Sequence, residues 1–118
     1  MALSIYVDGS GGDNSGYGYF IKETGESFYE KKPNITNNQA EYLAIIAALE
    51  KLGQTADEVT IYSDSKNTIS QLNHQFAINS EPLRELARLA WSHMSKLPNL
   101  KLVWIPRSEN LAGKMLGS

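Results

Sequence analysis

The stretch TNNQAEYLAIIAALEKL, residues 36–52, carries its own start and stop signals for a helix. Thr36, Asn37 and Asn38 have short polar side chains that accept hydrogen bonds from the free N–H groups of a first turn. An alanine-rich apolar run follows, and Gly53 ends it. Glu41 sits one turn inside this otherwise apolar helix, close to its positive end, where a negative charge is favourable in any protein.

Toward the N-terminus the pattern changes from helical to extended. Residues 27–31 (SFYEK) read as a strand, residues 23–26 (ETGE) as a turn, and residues 17–22 (YGYFIK) as another strand. Residues 9–18 hold five glycines among small polar residues, which reads as a loop or tight hairpin. Residues 3–8 (LSIYVD) are rich in aliphatic and β-branched side chains and form a strand stopped by Gly9. These three strands make an antiparallel meander.

Toward the C-terminus, residues 59–63 (VTIYS) read as a fourth strand, and Asp64-Ser65 caps a short helix ending near Asn73. Residues 81–97 form an amphipathic helix with Leu83, Leu86, Ala87, Ala90, Trp91 and Met94 on one stripe. Pro98-Asn99 breaks it, residues 100–105 (LKLVWI) form a fifth strand, and residues 110–116 can begin a last helix after Pro106. The order β-β-β-α-β-α-α-β is an α/β pattern. The meander pairs antiparallel, while strands four and five arrive through helical crossovers that favour parallel pairing.

Composition narrows the function classes. A chain of 118 residues is expected to be a single domain, 1–118, and 42% hydrophobic with 20% charged residues is ordinary for a globular protein. The absence of cysteine excludes disulfides, thiolate metal sites and cysteine nucleophiles, and fits a cytoplasmic location. Neither a basic, apolar leader nor a span of eighteen apolar residues is present, so no signal peptide and no membrane contact are expected. The net charge of −2 argues against a protein that holds nucleic acid by counterion release alone. Local geometry or a bound metal would have to do that work.

Three acids then stand out. Asp8 ends the first strand and Asp64 follows the fourth, and ligand sites in such sheets lie beyond the C-terminal ends of parallel strands. Each has an ordinary explanation alone, Asp8 as a loop cap and Asp64 as a helix cap. Together with Glu41, aimed from a helix crossing the sheet, they can converge on one rim. Carboxylates gathered that way repel one another unless a hard cation neutralises them, and Mg²⁺ takes oxygen ligands at such a shared site. Two such ions about 4 Å apart activate a water and stabilise a leaving oxygen in phosphoryl displacement.

The segments IYVDGS with its glycine loop, TNNQAEYLAIIAALE and IYSDS, in that order and near the usual spacing, resemble the type 1 ribonuclease H family. The TNNQAE segment with its alanine-rich continuation is the most specific of them. The resemblance implies an RNase H-like three-layer α/β fold with a five-stranded mixed sheet in the order 3-2-1-4-5. It also implies a metal-dependent endoribonuclease that uses Mg²⁺ or Mn²⁺ to cut the RNA strand of RNA/DNA hybrids; a monomer in the cytoplasm is expected. Asp8, Glu41 and Asp64 resemble the catalytic metal ligands, with Asp8 shared between both ions. Asn37 and Asn38 resemble the pair that reads the minor groove, and Thr36 with Asn37 the pocket that holds a DNA phosphate. Ser10 and the Gly9 backbone match positions that approach the RNA strand and its 2′-hydroxyl. Lys66, Arg107 and Asn110 match further substrate-contact positions.

One segment departs from the family pattern. The expected R-x-x-N-x-x-A-D stretch is here Arg107-Ser108-Glu109-Asn110-Leu111-Ala112-Gly113-Lys114, so Lys114 takes the place of the fourth acid. Three arrangements are open: reduced or altered metal use, the Lys114 ammonium substituting for one cation, or a register shift that offers Glu109. Two alternatives to the endoribonuclease follow. One is a catalytically weak or inactive RNase H-like module that binds nucleic acid or protein; the other, a DNA-directed nuclease, is disfavoured by TNNQAE. No basic insertion follows the second long helix, so affinity for hybrid is expected to be modest and salt-sensitive. His74 is expected at the surface, with a proton shuttle near the rim as the sharper alternative, and His93 is expected to be structural. Trp91 and Trp104 are expected in the core rather than as base-stacking platforms.

Overall fold

The computed structural model describes residues 2–116, and the side chains of residues 2–113. The elements in chain order are β1 (Ala2–Ser10), β2 (Gly16–Ile21), β3 (Ser27–Lys31), α1 (Asn37–Leu52), β4 (Glu58–Ser63), α2 (Lys66–Leu72), α3 (Glu81–Met94), β5 (Leu100–Trp104) and α4 (Leu111–Leu116). A 3₁₀ turn, Arg107–Glu109, joins β5 to α4.

The five strands form one sheet in the order β3-β2-β1-β4-β5. β1–β2 and β2–β3 pair antiparallel, and β1–β4 and β4–β5 pair parallel. This is the mixed sheet and strand order expected. Hairpin turns suffice for the antiparallel steps, whereas α1 and then α2–α3 carry the chain back over the sheet for the parallel ones.

Helix α1 explains why one face of the sheet is closed. Ala40, Glu41, Tyr42, Ala44, Ile45, Ile46, Ala48 and Leu49 are all buried, so the helix is covered on nearly every side. It lies between the Ile5/Val7 face of β1 and helix α3. The alanines at four-residue spacing, Ala40, Ala44 and Ala48, keep its surface low and let the helix approach closely. Helix α4 packs on β1 and β2. Because α1 already occupies the Ile5/Val7 side of those strands, α4 takes the other side and forms the third layer.

Helix capping follows the sequence closely. The Thr36 hydroxyl accepts from the Gln39 N–H at 3.1 Å, and the Gln39 side chain accepts from the Thr36 N–H at 2.9 Å, a reciprocal capping box. Gly53 ends α1 with φ 63, a conformation that glycine adopts without strain.

Several expected boundaries move. The glycine-rich loop shrinks from residues 9–18 to 11–15, because Ser10 pairs with Gly16 and both strands run further than their side chains suggest. Gly16 belongs in the strand for a packing reason: a Cβ there would lie 2.3 Å from the Tyr29 hydroxyl oxygen. The amphipathic helix ends at Met94 rather than Leu97, with residues 95–97 finishing in tight turns onto Trp91, His93 and Met94 carbonyls. Asp64 does not cap α2. Ser65 does, its Oγ accepting from the Thr68 N–H at 3.3 Å. Trp104 is a correction to the expected core: it is 45% exposed, on the edge strand where no further strand covers it.

Candidate active site

Asp8, Glu41 and Asp64 meet at one end of the sheet. Each offers a carboxylate oxygen, and these atoms all lie within 4.8 Å of one another. Asp8 and Glu41 are buried and Asp64 is half-buried. β1 supplies the first, the second turn of α1 the second, and the residue just past β4 the third.

The close approach of α1 to β1 depends on Gly9. A Cβ at this position would stand 2.4 Å from the Ala40 carbonyl carbon and 2.5 Å from its oxygen. The missing side chain lets the helix settle against the strand, so Glu41 arrives beside Asp8. The Gly9 N–H then donates to Glu41 Oε1 at 3.3 Å, and Ser63 Oγ donates to Oε2 at 3.4 Å. Both bonds are long, so they offset little of the desolvation of a buried carboxylate. Burial above all, then the negative charges of Asp8 and Asp64, push the Glu41 carboxyl up to about 8, against the lowering effect of those two bonds. Without a cation the three acids cannot all ionise at neutral pH without strong repulsion. This is the electrostatic profile of a site for a hard, oxygen-seeking ion.

Asp64 is held differently. Asn110 Nδ2 donates to its Oδ2 at 3.0 Å and to the Val7 carbonyl at 2.9 Å, and Trp104 Nε1 donates to the Asp64 carbonyl at 3.1 Å. The structure therefore gives Asn110 a different place from the substrate contact expected of it. Its side chain is fully buried (0% exposed), out of reach of a ligand, because its amide is used up within the protein.

The remaining candidates lie around this rim or along the adjoining loop. Ser10 ends β1 two residues from Asp8, half-buried and on the same face of the strand. Thr36, Asn37 and Asn38 are exposed one turn before Glu41. Asn37 Oδ1 accepts from the Gly11 N–H at 2.6 Å, which pins the glycine loop to the start of α1 and leaves the amide hydrogens of Asn37 as its remaining side-chain donors. Lys66 is exposed in the first turn of α2, and Arg107 is exposed in the 3₁₀ turn. Glu109 is exposed in that same turn, and the three carboxylates that converge are drawn from elsewhere. Lys114 falls within α4, and its side chain lies outside the described residues.

His74 does not join the rim. It follows α2, whose seven residues put roughly 10 Å between it and the Asp64 end, and its ring stacks on Trp91 with centroids 4.8 Å apart. Trp91 is half-buried and donates to the Leu72 carbonyl at 3.0 Å, and His93 is half-buried in the last turn of α3. Sequence reasoning passed over Ser63, which is fully buried and joins Glu41 to the Ser65 N–H. The signal was present: alternation in VTIYS puts Ser63 on the same inward face as Val59 and Ile61, a polar residue at a core position.

Comparison with known proteins places this arrangement in a family. The profile of the reverse transcriptase-like family matches residues 22–117. The chain is 28% identical to EbsB of Enterococcus faecalis over 97% of its own length and 90% of that protein's. It is 31% identical to Rv2228c, a bifunctional protein of Mycobacterium tuberculosis, over 93% of its length, and spans 33% of that longer relative. Among solved structures, RNase H1 of the halophilic archaeon Halobacterium salinarum superposes with a TM-score of 0.86 at 26% identity, covering 98% of this chain and 94% of that one. LC11-RNase H1 in complex with an RNA/DNA hybrid superposes with a TM-score of 0.84 at 31% identity, covering 97% and 92%.

Proposed function

This chain belongs to the RNase H-like family of nucleases, and from that premise we propose that it is a divalent-metal-dependent endoribonuclease that cuts the RNA strand of RNA/DNA hybrids. The observation that carries the reading is the convergence of Asp8, Glu41 and Asp64, with ligand atoms within 4.8 Å, on a family fold that in LC11-RNase H1 has been captured with a hybrid. The donor set fits the ion: three hard oxygen donors, two of them buried, with Glu41 resisting ionisation until positive charge arrives.

In this reading Asp8, Glu41 and Asp64 hold Mg²⁺ or Mn²⁺. An ion bound there would supply Lewis-acid chemistry, lowering the pKa of a water and offsetting charge on the phosphate oxygens. The chain's own residues bind and orient the hybrid. Thr36 and Asn37 receive a phosphate of the DNA strand at the exposed start of α1, whose positive end favours an anion. Asn37 and Asn38 reach the minor groove beside the cut, the former through its amide hydrogens because its oxygen is bonded to Gly11. Ser10 and the chain at Gly9 lie along the RNA strand near its 2′-hydroxyls, and Lys66 and Arg107 add positive charge at the edges of the contact. With a net charge of −2, the chain gains little general attraction, so binding is modest and falls with salt.

We further read residues 1–118 as a single RNase H-like domain that acts as a monomer in the cytoplasm. The cysteine-free composition supports that location, and no helix among the described residues is long and apolar enough to cross a membrane. The presence of Lys114 within α4, where the family pattern carries an acid, favours a second reading: a catalytically weak RNase H-like module that binds hybrid and releases it uncut. The test is cleavage of an end-labelled RNA/DNA hybrid with Mg²⁺ or Mn²⁺. Cutting that disappears in Asp8→Asn supports the nuclease, and hybrid binding without cutting in either metal supports the module.

A further inference from the structure

We propose that Trp104 and Asn110 are positioning residues that fix Asp64 from both ends and thereby set the cation affinity of the rim; the inference rests on the reading of Asp8, Glu41 and Asp64 as a metal site. An aspartate between a strand end and a helix start would ordinarily cap the helix. Here Ser65 takes that role, its Oγ accepting from the Thr68 N–H and donating to Thr68 Oγ1 at 2.9 Å. The Asp64 carboxylate is thereby released to face the rim, and something else has to orient it.

Asn110 does so with an amide whose direction is not interchangeable. Its Oδ1 accepts from the Ala112 N–H at 3.1 Å, and its Nδ2 donates to the Val7 carbonyl and to Asp64 Oδ2. Turning the amide over would set its oxygen against a carbonyl and a carboxylate, and its NH₂ against another N–H, so only one orientation is compatible with the site. One buried side chain thus spans the residue before Asp8 and the carboxylate of Asp64. It gauges the distance between β1 and β4 where both acids emerge. It is also neutral: an arginine or lysine there would hold the carboxylate as well but would compete with the cation.

Trp104 holds the other end of the same residue. It pairs with Ser63 across β4 and β5, and its Nε1 donates to the Asp64 carbonyl at 3.1 Å. An indole 45% exposed on an edge strand gains only part of the hydrophobic benefit of burial, but its N–H can only donate, and the carbonyl beside it can only accept. Glu41, by contrast, receives bonds of 3.3 and 3.4 Å. Groups that orient a metal ligand from outside the coordination sphere commonly change affinity by about 10- to 100-fold when removed.

The test is a calorimetric titration of the full chain with Mn²⁺, beside thermal unfolding of the same samples, for wild type, Asn110→Ala and Trp104→Phe. The expected result is a Kd about tenfold weaker in Asn110→Ala and about threefold weaker in Trp104→Phe, at a temperature where each is fully folded. A purely structural role would lower the melting temperature and leave the Kd unchanged, which would overturn the proposal. If Asn110→Ala does not fold, Trp104→Phe decides, because a phenyl ring fills most of the exposed site yet cannot donate. A second measurement needs no cation: solvent exchange of the two Asn110 side-chain amide hydrogens, followed by NMR in wild type and Asp64→Ala. One hydrogen should exchange at least tenfold faster in the variant while the other, bonded to Val7, is unchanged. Identical exchange in both proteins would overturn the clamp. Failure of wild type to bind Mn²⁺, with the exchange difference present, would instead overturn the metal-site reading and leave the Asp64 clamp standing.

Discussion

The two sides of the carboxylate rim are assembled by different forces. Asp8 and Glu41 are brought together by packing: α1 is buried on nearly every side, and Gly9 lets it settle onto β1. Asp64 is placed by directed hydrogen bonds from the end of β5, through Trp104, and from the segment after it, through Asn110. Packing positions a backbone firmly but leaves Glu41 desolvated among like charges. Hydrogen bonds orient a single carboxylate and depend on residues distant in sequence. The packed side should therefore fail through clashes and stability, and the bonded side through affinity and rate.

The largest effect expected within this contrast comes from breaking the packed side. Gly9→Ala places a Cβ against the Ala40 backbone, so α1 must lift from β1. We expect a loss of about 3 kcal/mol in urea unfolding and hybrid cleavage down by more than tenfold even where the variant is folded. Normal stability and activity would show that the glycine contact does not hold Glu41 in place.

On the bonded side, Lys114→Asp restores the acid of the family pattern to α4. The expected outcome is cleavage raised about tenfold, the effect of one added electrostatic group of modest strength, read as initial rate on a labelled hybrid. An unchanged rate would mean that Lys114 plays no part in the chemistry.

A smaller effect separates the charges from the packing. The Glu41 carboxyl lies at about 8 in the folded protein against 4.5 for a free glutamate. An acid with a raised folded value binds its proton more tightly folded than unfolded. Its stabilisation is thus fully present below about pH 4.5 and is lost as pH rises through about 8. Metal-free protein should lose stability across that window, and Glu41→Gln should flatten the slope and exceed wild type by on the order of 2 kcal/mol at pH 8. The check is denaturant unfolding at pH 5 and pH 8 with a chelator; equal slopes in the two proteins would contradict the assignment.

The smallest effect tests the start of α1. Thr36→Ala removes one half of the capping box, and about 1 kcal/mol of stability should go with it in thermal unfolding. The rim should keep its geometry, because the burial of α1 does not depend on its cap.

Most of the fold was legible because its signals are local. The Thr36–Gly53 helix shows its caps in sequence, and strands such as residues 27–31 show theirs in composition. That β1 runs past Gly9 and that β2 starts at Gly16 were less legible, since a glycine reads as a breaker whether it ends a strand or lets another element approach. That Asp8, Glu41 and Asp64 could meet follows from strand ends and a helix crossing the sheet. The partners of Asp64 could not be read the same way. Asn110 reaches Val7 across 103 positions, and Trp104 looks like any aromatic in an apolar strand until the edge of the sheet is known. Long-range hydrogen bonds leave no periodic trace, so both residues were expected in other places: one at the substrate, the other in the core.

The most direct test of the account is cleavage of an RNA/DNA hybrid by wild type and Asp8→Asn across a series of Mg²⁺ and Mn²⁺ concentrations. Asp8→Asn keeps the size of the side chain and removes the charge from the rim. The account predicts metal-dependent cutting of the RNA strand by wild type, reduced at least about a thousandfold in the variant, with the fold intact by circular dichroism. No cutting by wild type in either metal at high protein concentration, or equal cutting by both proteins, would contradict it.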